Sequence, residues 1–146
     1  MPNKAELTKH YPRGYCGVCK IGRPVYIERT GLIKVDKVYE CCDEETLWKS
    51  YYQSYEILQK KIFMACSFVF QKQIQHTFSV LDLSGFSVKV MSGNKVRGLV
   101  KHASKISQDN YPEQLGQMLI VNAPMTFTTV WAVIKPWLDE KTREKI

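Results

Sequence analysis

The chain has 146 residues, 45% of them hydrophobic and 24% charged, which predicts one globular domain and excludes a disordered or fibrous chain. Its apolar runs are shorter than the roughly 20 residues of a membrane-spanning helix, and residues 1–14 lack the apolar stretch of a secretory signal, so we expect a cytosolic protein. The net charge of +7 favours anionic partners such as phosphate groups or acidic lipid surfaces.

The sequence favours neither nucleic-acid binding nor a metal site. Its lysines are scattered, and no nucleic-acid-binding motif accompanies them. An odd number of cysteines without a secretory signal predicts free thiols. Cys16-x-x-Cys19 is followed by the adjacent pair Cys41-Cys42, which lacks the spacing of a zinc knuckle. We therefore assign no metal ligand, and the absence of catalytic motifs such as G-x-S-x-G or H-E-x-x-H argues against an enzyme.

The first half of the chain predicts a polar lead-in, a strand pair and a long helix. Residues 1–14 are mainly polar and are expected to precede the folded domain. Residues 15–20 and 23–30 predict two strands around Gly22, because apolar and polar side chains alternate in the second. Asp43 is expected to cap a helix that runs to about residue 63 or beyond. The apolar face of this helix is formed by Leu47, Tyr51, Tyr55, Leu58 and Ile62.

The second half predicts two further strands separated by a helix. Residues 76–83 predict a buried strand that carries Thr77 and Ser79 on one face. These hydroxyls are either satisfied by the backbone or line a polar patch in a pocket. A helix over residues 90–107 and a strand over residues 117–121 follow. The alternation of helices and strands predicts an α/β layer with right-handed crossovers.

The last 25 residues predict an amphipathic aromatic helix with a basic end. The apolar side chains recur at spacings of three and four, which places on one side of a helix Phe127, Val130, Trp131, Ile134, Trp137 and Leu138. Lys135-Pro136 should disturb the helix near its end. Taken alone, the spacing favours an ordinary core-facing helix with a solvated charged end. The alternative is a cover over an apolar ligand whose anionic head is held by the basic segment at residues 141–145.

Four stretches resemble, in this order, the CRAL-TRIO lipid-binding domain. They are GRPVYIE (22–28), VLDLSGFS (80–87), ISQDNYPEQLGQMLIVNAP (106–124) and WAVIKPWLDEKTREKI (131–146). The similarity is greatest to the Sec-fourteen-like phosphatidylinositol/phosphatidylcholine transfer proteins. It implies a mixed, mainly parallel β-sheet that forms the floor of a hydrophobic pocket, covered by helices that include an amphipathic gate helix. It also implies that residues 15–146 form the domain, without the family's N-terminal helical bundle and closing C-terminal segment.

The resemblance implies three groups of site residues. The inositol-phosphate head of a lipid would be held by Glu113, Thr142 and Lys145. A choline lipid, or the polar part of the pocket, corresponds to Tyr15, Tyr26, Tyr55, Thr77, Ser79 and Ser107. The gate, at about residues 125–138, would present Phe127, Val130, Trp131, Ile134 and Trp137.

The resemblance further implies a non-enzymatic protein that binds a phospholipid and exchanges it between membranes. The ligand would be phosphatidylinositol, with phosphatidylcholine or another lipid as the counter-ligand, and no cofactor would be needed. Such a protein would be cytoplasmic, associate peripherally and transiently with membranes, and be linked to phosphoinositide supply and membrane trafficking. The alternative for the same fold is a scaffold for protein interaction or membrane recruitment that binds small GTPases.

Overall fold

The structure, a computed structural model, describes residues 4–88 and 93–146. The α-helices in these ranges are α1 (Lys4–His10), α2 (Val35–Cys41), α3 (Glu44–Ile57), α4 (Phe63–Phe70), α5 (Asn94–Asn110), α6 (Phe127–Ile134) and α7 (Glu140–Arg143). The strands are β1 (Arg13–Val18), β2 (Pro24–Glu28), β3 (Thr77–Asp82) and β4 (Leu115–Val121). Short 3-10 turns lie at Thr30–Leu32 and Lys135–Trp137, and a π-helical turn at Leu58–Ile62 joins α3 to α4.

The strands of the described residues form one four-stranded sheet in the order β1-β2-β3-β4. β1 and β2 form an antiparallel hairpin, whereas β2 pairs with β3, and β3 with β4, in parallel. Parallel neighbours need crossover connections, which α2, α3 and α4 supply before β3 and α5 supplies before β4. The predicted mixed, mainly parallel sheet is therefore confirmed.

The long helix begins where the sequence predicted. The Asp43 carboxylate accepts a hydrogen bond from the Thr46 backbone N–H at 2.6 Å and so caps the first turn of α3. Leu47 and Leu58 are completely buried on the predicted apolar face. The helical path continues past residue 63 into α4, as predicted, and Phe63 and Cys66 of α4 are buried in a second core cluster that also contains Ile74 and Leu58.

Two short helices, α1 and α2, were not predicted. Leu7 of α1 and the following Tyr11 are buried in the main core with Val35 and Val38 of α2. Helices of this length are marginal in isolation, so tertiary packing stabilises them more than sequence propensity does. The segment expected to be a polar lead-in thus contributes to the core.

The crossover helix α5 lies close to its predicted position. It begins at Asn94 and ends at Asn110, and the predicted residues 90–92 lie outside the described residues. Val96, Leu99 and Ile106 form its buried face. No helix in residues 4–88 or 93–146 combines the length and the apolar character that crossing a bilayer requires.

β3 and β4 end side by side in a hydrogen-bonded cluster. The Asp82 carboxylate accepts hydrogen bonds from the Asn122 amide at 2.8 Å and from the Ser84 backbone N–H at 2.9 Å and hydroxyl at 2.7 Å. The Leu83 backbone N–H donates to the Val121 carbonyl at 3.0 Å. These contacts hold together the strand ends from which the chain continues towards α5 and α6.

Candidate functional site

A cavity of about 290 Å³ lies between the sheet and the helices. The sheet contributes its floor, α3 and α5 contribute its walls, and α6 with the segment after it contributes a cover. The apolar lining residues include Ile33, Leu58, Leu81, Leu83, Phe86, Leu99, Val100, Ala103, Leu115, Met118, Ile120, Phe127, Trp131, Ile134, Leu138 and Ile146. A cavity lined mainly by such side chains, with a few polar groups, is typical of a small-molecule site.

The floor is built from two rows of side chains that cross the sheet. Because side chains alternate between the faces of a strand, residues two apart point to the same side. The strand register aligns one row as Tyr15, Tyr26, Ser79 and Met118. It aligns the other as Arg13, Glu28, Leu81 and Ile120, and all eight residues line the cavity.

The hydroxyls of β3 lie in this floor. Thr77 and Ser79 are both buried, each with 6% of its surface exposed. The Thr77 hydroxyl donates to the Gln114 backbone carbonyl at 3.2 Å, so the backbone satisfies one of its bonds. Both alternatives raised by the sequence therefore hold for Thr77, which is hydrogen-bonded to backbone and also lines the cavity.

The residues that the sequence assigned to a choline lipid are brought together by the structure. All six line the cavity: Tyr15, Tyr26, Tyr55, Thr77, Ser79 and Ser107. The rings of Tyr15 and Tyr26 lie 5.2 Å apart in a tilted arrangement. Burial raises the pKa of Tyr15, Tyr26 and Tyr55, so their hydroxyls remain protonated at neutral pH and can act as donors. Their role towards a ligand stays a prediction.

Sequence reasoning missed a charged cluster at one end of the cavity. The Arg13 guanidinium lies over the rings of Tyr51, at 3.6 Å from its centroid, and Tyr11, at 4.4 Å. The Glu28 carboxylate accepts hydrogen bonds from the hydroxyls of Tyr11 at 3.2 Å and Tyr26 at 3.0 Å. The period of two in each strand could have revealed this cluster, because it places Arg13 beside Tyr15, and Glu28 beside Tyr26, on one face.

Gln114 contributes an acceptor to the same cavity. Its side chain is 8% exposed, and its amide oxygen has no hydrogen-bond partner among the described residues. A buried amide oxygen without a partner is unfavourable, so this atom can accept a hydrogen bond from a hydroxyl of a bound molecule. The sequence offered no signal for this, because the burial of Gln114 depends on how the sheet and helices pack.

The aromatic stripe of the C-terminal segment divides between two surfaces. Phe127, Trp131 and Ile134 line the large cavity. Val130 and Trp137 instead line a smaller cavity of about 50 Å³, together with Ile134 and residues of α5 that include Val96, Arg97 and Val100. The prediction that all of these side chains share one face is therefore wrong. α6 ends at Ile134, and the 3-10 turn that contains Pro136 changes the direction in which Trp137 points.

Of the three predicted head-group residues, Thr142 lines the cavity, whereas Glu113 and Lys145 are only sequence neighbours of the lining residues Gln114 and Ile146. The Thr142 hydroxyl donates to the Asp139 carboxylate at 2.7 Å, and the same carboxylate caps α7. The Glu113 carboxylate accepts hydrogen bonds from Lys145 at 2.9 Å and Lys141 at 3.1 Å. These two bonds lower the pKa of Glu113, with the bond from Lys145 contributing most. The Lys145 side chain is only 23% exposed, whereas the Glu113 side chain is 52% exposed.

The arrangement is suited to holding an amphiphile. Within residues 4–88 and 93–146, no three side chains of His, Cys, Asp or Glu form a group that could hold a metal ion. The apolar lining can cover hydrocarbon, since such burial is favourable by about 25 cal/mol per Å². The hydroxyls of Thr77, Ser79 and Ser107 provide polar contacts within the lining.

Comparison with known proteins agrees with this geometry. The sequence profile of the CRAL/TRIO domain matches residues 8–146. The phosphatidylinositol/phosphatidylcholine transfer protein SFH7 of Arabidopsis thaliana is 40% identical over 141 residues, which are 97% of this chain and 26% of the relative. The Sec14 cytosolic factor of Schizosaccharomyces pombe is 37% identical over 143 residues, 98% of this chain and 49% of the relative. The chain thus spans a quarter to a half of the length of these relatives.

The fold also has a counterpart among solved structures. The crystal structure of Sfh5 superposes with a TM-score of 0.63 and 21% sequence identity, and the match covers 97% of this chain and 47% of that chain. At this identity the likeness concerns the fold.

Proposed function

The chain belongs to the CRAL/TRIO domain family, and from this premise we propose that it binds one phospholipid in the cavity and exchanges it at membranes without catalysing a reaction. The observation that carries the proposal is the cavity itself. Its cover is apolar, its floor and walls carry hydroxyls beside apolar side chains, and the neighbours of its lining residues Gln114 and Ile146 form an ammonium–carboxylate pair. This sequence of surfaces matches the acyl chains, the glycerol and phosphate region, and the head group of a phospholipid.

We propose phosphatidylinositol as one ligand. Lys145 can contact the lipid phosphate as a charged donor, and Glu113 holds its ammonium in position. Thr142 lines the cavity one turn earlier, and its hydroxyl, which donates to Asp139 in the structure, would turn to donate to the same phosphate. Support comes from relatives that are named phosphatidylinositol/phosphatidylcholine transfer proteins.

The second ligand in this proposal is phosphatidylcholine or another phospholipid. The tyrosine rings on the floor offer π faces to a cationic head, and the hydroxyls of Ser79 and Ser107 offer donors to its phosphate. The Thr77 hydroxyl would have to leave the Gln114 carbonyl to join them. Exchange would then consist of one lipid replacing the other in a shared apolar cavity.

Entry of a lipid requires the cover to move. Phe127, Trp131 and Ile134 separate the cavity from the outer surface of α6, and the small cavity behind Val130 and Trp137 leaves the contact between α6 and α5 incompletely packed. We propose that α6 moves away from α5 at a membrane surface and closes again over the new lipid. The association with the membrane would be peripheral and transient, from the cytoplasm, and would serve phosphoinositide supply and membrane trafficking.

Lipid analysis of the purified chain tests this function. The protein is incubated with vesicles of phosphatidylinositol and phosphatidylcholine and re-isolated, and its lipid content is measured by native mass spectrometry and extraction. We expect one glycerophospholipid per chain and transfer of labelled phosphatidylinositol to acceptor vesicles. A chain that takes up neither lipid, but is captured by a small GTPase, would refute the proposal and support the scaffold alternative.

A further inference from the structure

Helix α4 presents an apolar surface to solvent. Met64 is 66% exposed, Phe68 77% and Val69 72%, although all three are large apolar side chains. Met64 and Phe68 are four residues apart and so share one face of the helix. The opposite face carries the buried Phe63 and Cys66, which anchor α4 in the second core cluster. The exposed side chains therefore belong to a helix that is held in place.

The β1–β2 hairpin extends this surface. The Phe70 ring packs against Gly22 so closely that a Cβ at Gly22 would lie 2.7 Å from it, which places the tip of the hairpin beside the end of α4. Two further apolar side chains are exposed at the tip, Val18 at 48% and Ile21 at 53%. We call these five residues, Val18, Ile21, Met64, Phe68 and Val69, the α4–hairpin patch. Contiguous apolar surface of this kind marks an interaction site more often than scattered exposed residues do.

The two segments that form the patch carry charges of one sign. Residues 13–27 and 57–76 contain no aspartate or glutamate. Three exposed lysines lie beside the patch in the sequence: Lys20 at the hairpin tip, Lys61 before α4 and Lys72 after it. Lysine side chains combine a long apolar stem with a charged end, so they can follow an apolar surface and place the ammonium at its margin. The patch is therefore an apolar centre with a cationic rim.

We propose that the α4–hairpin patch docks the protein on a bilayer that contains anionic phospholipid. Such a bilayer presents negative charge at its surface and hydrocarbon directly below, in the same order as the rim and centre of the patch. A protein partner fits less well, because lysine is depleted from protein–protein interfaces. The inference rests on exposed residues of α4 and the hairpin, and it holds whether or not the cavity carries a lipid.

Sedimentation with vesicles tests the docking surface. The chain is mixed with vesicles of phosphatidylcholine alone or of phosphatidylcholine with phosphatidylserine, and the bound fraction is measured at low and at physiological salt. We expect binding to the anionic vesicles that weakens with salt. The double variant Phe68→Ser/Val69→Ser should lose about tenfold or more in partitioning, because it removes apolar area that enters the bilayer.

Removing single lysine charges tests the cationic rim of the patch. Lys61→Gln and Lys72→Gln should each reduce partitioning about fivefold, the effect of one cation near an anionic surface. Lys101→Gln removes the same charge from the exposed face of α5 and serves as the control, with little change expected. Thermal unfolding followed by circular dichroism should be unchanged in all variants, because the substituted side chains are exposed.

Three results would overturn the inference. One is equal binding to neutral and anionic vesicles. Another is loss of binding in Met125→Ser, which removes a 93% exposed methionine just before α6, but not in the Phe68/Val69 variant. The third is self-association of the chain that the Phe68/Val69 variant abolishes, which would assign the patch to a second copy. Lipid content is measured in the same samples, so failure of docking is distinguished from failure of lipid binding in the cavity.

Discussion

The Glu113 carboxylate and the Lys145 ammonium form a hydrogen-bonded ion pair at 2.9 Å, although 32 residues separate them in the sequence. The pair joins the start of β4 to the segment after α7. A backbone hydrogen bond joins the same two segments, since the Met118 N–H donates to the Lys145 carbonyl at 2.6 Å. Exposed ion pairs contribute little to stability. The position of this pair, next to the cavity-lining residues Gln114 and Ile146, therefore favours a role towards a ligand.

The double variant Lys145→Ala/Thr142→Ala should reduce capture of phosphatidylinositol about tenfold or more and spare phosphatidylcholine. It removes one charged donor and one hydroxyl from the proposed phosphate site. Lys141→Ala is the matched control, because Lys141 contacts the same carboxylate but is 75% exposed. Lipid extraction after incubation with mixed vesicles gives both values. Equal loss of the two lipids would contradict the assignment.

Ser79→Phe should prevent lipid uptake while the protein remains folded. Ser79 lies in the middle of the cavity floor, so an aromatic ring there would occupy the space that a ligand needs. Overpacking a filled core costs about 1–3 kcal/mol, and we expect a smaller loss because the ring enters a cavity. Val80→Phe places the same ring on the other face of β3 as a control. Native mass spectrometry and urea unfolding separate the two effects, and lipid uptake equal to that of the native chain would refute the site.

Asp82→Asn should make stability less dependent on acid pH. Hydrogen bonds from Asn122 and Ser84 lower the pKa of the Asp82 carboxyl to about 2, below the value of about 3.9 in an unfolded chain. The ionised carboxylate therefore stabilises the fold above about pH 4, and this contribution is lost as the pH falls through about 2. The variant should unfold at lower urea concentration at neutral pH and lose less on acidification.

Urea titrations at neutral and acid pH measure both effects. Asp109→Asn is the control, since Asp109 pairs with Lys105 on the exposed surface of α5. An Asp82→Asn variant whose stability falls with acid as steeply as that of the native chain would contradict the role of this carboxylate.

Gly31→Ala should destabilise the protein, whereas Gly98→Ala should stabilise it. A Cβ at Gly31 would lie 2.7 Å from the Leu83 carbonyl oxygen and would also collide with the Ser84 carbonyl, so backbone must move. We expect a loss of about 1–3 kcal/mol in the free energy of unfolding. Gly98 lies on the exposed side of α5 with nothing within 4 Å of such a Cβ, and alanine there should add about 1 kcal/mol. Urea unfolding of both variants tests the pair, and similar losses would contradict it.

Local patterns in the sequence were sufficient for much of the fold. The strand alternation, the Asp43 cap and the proline that ends α6 depend on residues close together in the chain, and each is found where predicted within a few residues. The helices α1 and α2 were missed for the opposite reason. They are too short to be stable alone, and their existence depends on burying Leu7 and Val38 in the core.

The candidate site was predicted as a list of residues but not as a geometry. The resemblance indicated Glu113, Thr142 and Lys145, and the structure adds that Glu113 and Lys145 are in contact while Thr142 lines the cavity. Arg13 received no role because residues 1–14 were expected to precede the folded domain, whereas it begins β1. Gln114 received none because its burial results from how the sheet and helices pack.

The sequence by itself determined the four strands, the longer helices and the chemical types available to the site, because periodicity, capping and residue type act over a few residues. The family followed from the resemblance of four stretches. Only the tertiary structure decided that the aromatic stripe divides, with Phe127 and Trp131 over the cavity and Val130 and Trp137 towards α5. A helix has side chains on every side, and which side meets a cavity depends on the elements packed around it.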